Sequence, residues 1–261
     1  MAMDPRNPYA APSVPVADVS HADDDGQLID GGMAVPASHG WDWIVEGFEL
    51  FKINPGIWIL NLIILLVIMV VLAIIPFIGS LAVYLLYPVF GGGLMLGCHA
   101  LARSESFEVA HLFAGFKERT GSLVLLGLLY LVGLIVIVIV VSVFFGLSLF
   151  GAMFAGGARS FNPMTLLLAG LIMLGLSIPL AMAIWFAPAL VVFHDLKPFD
   201  AMKQSFLGCL KNIVPFLLYG VIGLVIGILA TIPFGLGWLV WAPTVVGSIY
   251  AGYRDIFVEA A

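Results

Sequence analysis

The sequence predicts an all-α polytopic membrane protein with six transmembrane helices and three cytoplasmic amphipathic interfacial helices. Three observations predict it. Hydrophobic residues make up 62% of the chain against 10% charged, and the mean hydropathy of +1.14 is too high for a water-soluble domain of 261 residues. Apolar runs close to the ~20 residues that a bilayer core requires recur along the chain. The charged stretches between them keep apolar side chains at helical spacing on one face, as in a helix lying in the headgroup layer. The net charge of −6 says little as an average, because the acidic residues concentrate near the start of the chain.

Residues 1–37 read as a disordered acidic tail, rich in Pro, Ala and Asp, with Asp23, Asp24 and Asp25 in a row and no helical or strand period. Nothing in the tail supplies the apolar core of a cleavable signal, so the first span is expected to serve as an uncleaved anchor. The membrane domain occupies 38–258. It opens on an amphipathic helix with Trp41, Ile44, Phe48 and Phe51 on one face and Asp42, Glu46, Glu49 and Lys52 on the other. Pro55 and Gly56 punctuate it. Span one is 57–75, an uncharged turn follows, and span two is 81–101, with Pro88 and the run Gly91, Gly92, Gly93 inside it.

The stretch 104–119 keeps Val109, Leu112, Phe113 and Phe116 on one side and reads as the second amphipathic segment. Spans three and four lie within 122–154 and 164–193, joined by a Gly-rich loop carrying Arg159. The clearest amphipathic helix comes next. Phe199, Met202, Phe206, Cys209 and Ile213 share a face opposite Asp200, Lys203, Gln204 and Lys211; Pro198 suits a first helical position, and Asp200 a first turn. Residues 213–232 form span five, Pro233, Phe234 and Gly235 a turn, and 236–253 span six.

Basic residues set the orientation. Lys52, Arg103, Lys117, Arg119, Lys197, Lys203, Lys211 and Arg254 fall on one side of a six-span arrangement and Arg159 on the other, which places both termini and all three amphipathic segments in the cytoplasm. A shift of about 155 to 158 positions aligns Asp42 with Asp200, Asn54 with Asn212, Pro76-Phe77 with Pro233-Phe234, and Pro88 with Pro243. We read three parallel helix-plus-hairpin units, about 38–101, 104–193 and 195–258. Each is expected to bear a proline late in its second span: Pro88, Pro188 and Pro243 are the candidate kinks.

The spans hold almost no ionisable side chains away from their ends, which disfavours a proton-coupled pump. Cys98, His99, His111, His194 and Cys209 are ligand types near one boundary, but no CxxC or HxxxH pair exists, and neither a metal nor another cofactor is expected. The glycine run lacks a following Lys-Ser/Thr, so it is no phosphate loop; nucleophile elbows and dinucleotide fingerprints are absent. Scattered single Lys and Arg residues exclude a nucleic-acid patch. The expectation is a non-enzymatic membrane protein that engages lipids or a membrane partner through its amphipathic helices. Lys52, Lys203 and Lys211 are the candidate headgroup contacts. The partner classes are membrane lipids, a membrane-protein partner, or a second copy. The alternative is a transporter or channel for a neutral or amphiphilic substrate.

The segments WDWIVEGFELFKINPGIWI, PVFGGGLMLGCHAL, HLFAGF, WFAPALVVFHDLKPFDAMKQSFLGCLKNIVPF and YAGYRDIF resemble an uncharacterised family of proteobacterial multi-pass membrane proteins, over residues 38–257. The resemblance implies a bacterial cytoplasmic (inner) membrane location and an all-helical fold. It assigns no site residue. The layout is also distantly similar to membrane domains attached to glycerophosphodiester phosphodiesterases, without their catalytic domain.

Overall fold

The structure, a computed structural model, describes residues 26–156 and 163–259, with only the helical backbone for 147–156. The tail to residue 25 and the Arg159 loop lie outside the described residues. The elements are α1 (His39–Ile53), α2 (Pro55–Ile74), α3 (Ile78–Ala102), a 3-10 helix η1 (Val109–Phe116), α4 (Thr120–Gly156), α5 (Pro163–Trp185), α6 (Ala187–His194), α7 (Pro198–Lys211), α8 (Ile213–Thr231) and α9 (Trp238–Phe257). Among the described residues the one β feature is an isolated bridge between Leu28 and Val258.

Among the described residues, five segments are long and apolar enough to cross a membrane: Pro55–Ile74, Ile78–Ala102, Thr120–Gly146, Pro163–His194 and Ile213–Thr231. The sixth expected span, α9, is not among them. Its 20 residues suffice in length, but Trp241, Thr244, Ser248, Tyr250 and Tyr253 are buried against protein, so the helix need not be apolar all round. The hairpins are asymmetric in burial. Only 11% of α2's apolar window is buried, against 50% of α3's. The first helix of that hairpin therefore offers its surface to lipid while the second faces the interior.

The first and third hairpins turn alike. Phe77 (φ 61) and Phe234 (φ 53) each follow a proline, adopt the left-handed region and project fully exposed rings. Two positions beyond Phe77, a Cβ on Gly79 would strike the carbonyl of Leu72; a Cβ on Gly237 would strike Ala230 in the same way.

The three charged segments do not lie free on a surface. Each packs across the second helix of a different unit, over one rung of its i to i+4 hydrogen-bond ladder. A Cβ on Gly47 of α1 would press on Thr244 O and stand 2.5 Å from Ser248 N of α9. A Cβ on Gly115 of η1 would press on Val89 O and stand 3.3 Å from Gly93 N of α3. In α7, Ser205 occupies the corresponding place: its hydroxyl donates to Met182 O (2.6 Å) and accepts from Phe186 N (3.0 Å). Unit two thus crosses unit one, unit three crosses unit two, and unit one closes on unit three. Gly47 and Ser205 are also matched by the sequence offset.

The Ser205 hydroxyl enters the ladder where Phe186 N would otherwise reach Met182 O, and the span breaks there into α5 and α6. Pro188 follows two residues past this break, in the first turn of α6, and the break lies between it and Ile184, the residue whose carbonyl a proline at 188 leaves without a partner; Pro88 and Pro243 lie inside α3 and α9, one residue before the crossed rung. Pro179, inside α5, is a further interior proline.

The faces of α1 also differ from expectation. Gly40, Trp43, Ile44, Gly47, Leu50 and Phe51 are buried, while Trp41 and Phe48 are 47% and 40% exposed. The glycines permit so close an approach that the small face, not the most apolar one, meets α8 and α9.

Candidate functional site

The second helices α3, α6 and α9 end together, and aromatic and histidine side chains join those ends. His99 Nδ1 and the Tyr250 hydroxyl share a 3.0 Å hydrogen bond; His194 Nε2 and the Tyr253 hydroxyl share one of 2.7 Å. Phe193 stacks on Tyr253 with ring centroids 5.3 Å apart and meets His99 at 5.2 Å. His194-Asp195, neighbours in sequence, do not act together: His194 turns to Tyr253 while Asp195 pairs with Arg119.

Across these ends runs a strap formed by residues 26–35, read from the sequence as part of the tail. Ile29 N donates to Phe257 O and Met33 N to Ile256 O, both at 2.8 Å. Gly32, at φ 66, turns the strap where a Cβ would strike Ile256. Asn212, fully buried, holds it in place: Oδ1 accepts from Val35 N, and Nδ2 donates to Met33 O. Gln204 bonds to Asp30 and Gly31 N.

Strap, α1 and the joined helix ends enclose a cleft of about 1220 Å³. Glu46 and Glu49 of α1, Arg103 of α3, and Arg254 and Asp255 of α9 line it, over Phe193 and Tyr250. Asp255 Oδ2 accepts from Trp43 Nε1 (2.7 Å) and pairs with His39 Nδ1 (2.8 Å), which fixes the start of α1 to the end of α9. Burial, and next the Asp255 carboxylate, hold the Glu46 carboxyl above the usual range, against the lowering effect of Arg254.

A second cavity, about 420 Å³, lies on the other flank of α1, between Val45 and Phe48 and the α8–α9 hairpin, with Leu229, Val240 and Trp241 among its walls. Its lining is apolar but for Thr244 and the Trp indole N–H groups.

The three candidate lysines are not brought together. Lys52 pairs with Glu49 at 2.7 Å and lies 5.3 Å over the Phe48 ring; Lys203 is exposed on α7; Lys211 donates to Gly32 O at 2.7 Å and so belongs to the strap. Among the described residues no three His, Cys, Asp or Glu side chains gather as a metal site. Cys209 is buried with its thiol pushed up to about 12 by burial, a packed thiol rather than a nucleophile at neutral pH. The strap is what sequence reasoning missed. Its one signal is Leu28-Ile29 followed by Gly31-Gly32, an apolar pair before a turn.

No family model matches the chain, and no solved structure matches it. It is 30% identical over 217 residues to a probable inner membrane protein of Burkholderia thailandensis, a match covering 80% of each chain. With multiple helices able to cross a membrane, the chain belongs to the same family of inner membrane proteins.

Proposed function

We propose that this is a non-enzymatic integral membrane protein that engages bilayer lipid through its amphipathic segments, with its charged end and both termini in the cytoplasm. The groove beneath α1 carries the reading. It is apolar, opens beside a membrane-crossing helix, and has the size to take part of an acyl chain. Exposed rings on all three segments support it: Trp41 and Phe48 on α1, Phe113 and Phe116 on η1, and Phe199 on α7. Such rings favour the bilayer interface. Of the three candidate lysines, Lys52 and Lys203 remain the headgroup candidates on exposed faces, whereas Lys211 is engaged by the strap.

Native mass spectrometry of protein released from nanodiscs tests the groove. The wild type is expected to retain a lipid that the double variant W41A/F48A releases; equal retention by both, or none by either, would sink the reading. Both side chains are exposed, so the fold should survive the change.

The same reading counts α9 as a sixth span. A reporter fused after Phe234 should then be active outside the cytoplasm and one fused after Val258 inside; two fusions active on the same side would remove the sixth crossing. A conducting path is less well supported. A Cβ on Gly91 would stand 3.8 Å from the Pro188 ring, ordinary van der Waals contact between α3 and α6, and Val89, Phe90 and Leu190 are buried.

A further inference from the structure

We infer that the membrane domain binds a buried water at Asn61, which accepts from Nδ2 and donates to Oδ1 of that side chain. Asn61 lies in the membrane-crossing helix α2 and is 2% exposed, and among the described residues neither its Oδ1 nor its Nδ2 meets a hydrogen-bond partner in the protein. Nearly every buried polar group of a folded protein is paired, and within a bilayer no bulk water is at hand for one that is not. The chain treats its other polar side chains differently. Ser177, Thr231 and Thr244 each donate to the carbonyl four residues earlier, and Ser248 donates to Val245 O. Asn212, the other buried asparagine among the described residues, makes three hydrogen bonds to the main chain.

The repeat shows what Asn61 is missing. The offset that pairs Asn54 with Asn212 pairs Asn61 with Tyr219, whose hydroxyl meets that of Ser248 across the α8–α9 hairpin at 2.8 Å. The offset that pairs Pro88 with Pro243 pairs Ser248 with Gly93, and these two supply the N–H groups beneath the α1 and η1 crossings. No side chain fits at position 93, because a Cβ there would stand 2.5 Å from His111 O. Packing thus builds a hydroxyl partner into unit three and excludes it from unit one, where water supplies the hydroxyl. The amide fixes the class of ligand: it needs both an acceptor and a donor, which neither a simple cation nor a carboxylate provides. Its burial keeps out headgroups, and water is the smallest molecule that does both. Trp58 and Asn61 are the buried residues of α2, and Trp58 packs on Phe107 at 4.5 Å, so the amide faces the interior. Because α2 is otherwise apolar and little buried, the hydrated amide sets its rotation: turning it outward would carry Asn61 into lipid. The site is independent of the proposed acyl-chain groove, which α1, α8 and α9 wall without α2.

Nuclear magnetic resonance on the full chain in micelles, isotope-labelled at asparagine nitrogen, tests the site. The chain has five asparagines, and the side-chain signal of Asn61 is the one lost in Asn61→Leu. Should that variant fail to fold, Asn61→Gln, which this scheme leaves unlabelled, gives the same assignment. At mildly acid pH, where amide hydrogens exchange slowly, the Asn61 NH2 group is expected to show cross-relaxation with water of the sign that a bound molecule gives. Asn212 should show none, since its amide hydrogens are held by Met33 O and Gly208 O. A density map of the wild type fine enough to show ordered water should place a single peak within hydrogen-bond distance of both Oδ1 and Nδ2. A silent Asn61 amide, or a map with that amide bonded to protein, to nothing, or to anything larger than water, would overturn the inference.

Discussion

Gly247→Val is expected to abolish recovery of a monodisperse, folded protein. A Cβ at this position would stand 2.9 Å from the Cα and the carbonyl oxygen of Gly47, so backbone meets backbone and no side-chain rotation relieves the contact. Helix α1 has little freedom to withdraw. Its start is tied by His39 and Trp43 to Asp255, and its end by Trp58 Nε1 donating to Leu50 O at 3.2 Å. Overpacking of this kind costs about 1–3 kcal/mol and more where the backbone must move, against a total stability of about 5–15 kcal/mol. The crossing also closes the ring of three units, so the loss propagates to α8 and the strap. Size-exclusion profiles and thermal melts in mild detergent would measure it. Gly220→Val is the control, since a Cβ there meets nothing within 4 Å and the variant should behave as wild type. A Gly247→Val protein that elutes and melts with the wild type would refute the close crossing.

What the sequence made legible and what it hid separate along physical lines. Spans such as Pro55–Ile74 were readable because lipid is their solvent, and apolar composition alone reports that. The offset that paired Asp42 with Asp200 also pairs Gly47 with Ser205, and the structure gives those two residues the same task at two crossings. The cyclic order of the crossings was not readable, because it depends on contacts between units far apart in the chain. Glycine misled in a particular way: it adds nothing to an apolar face, yet Gly40 and Gly47 decide which face of α1 is buried. Pro188 shares its sequence context with Pro243, but the Ser205 hydroxyl that opens the ladder beside Pro188 comes from another unit and leaves no local trace in the sequence. Of the candidate site, Glu46 and Glu49 were seen only as a wet face. The cleft they line needs α9, α3 and the strap, none of which is local to them.

Asn212→Ala should release the strap while leaving the helical bundle folded. The side chain makes three hydrogen bonds of 2.8 Å, accepting from Val35 N and donating to Met33 O and Gly208 O, and it is fully buried. Removing it leaves Val35 N–H and Met33 C=O without those partners and opens a void, and each stranded buried group costs about 1–3 kcal/mol. The strap can escape that cost by undocking into water, whereas α7 and α8 cannot, so the loss is expected to be local. Amide exchange at Ile29 and Met33, whose N–H groups bond to Phe257 O and Ile256 O, should accelerate about 30-fold or more, the factor that ~2 kcal/mol implies. Amides in the α3 core near Cys98 should not change. Lys211→Ala removes a single bond, to Gly32 O, at a partly exposed site, and should produce a smaller acceleration in the same amides. Unchanged exchange at Ile29 and Met33 in Asn212→Ala would mean that the strap is held by α9, Gln204 and Lys211 without need of Asn212. Because Ile29 and Met33 also wall the cleft, an undocked strap should widen it.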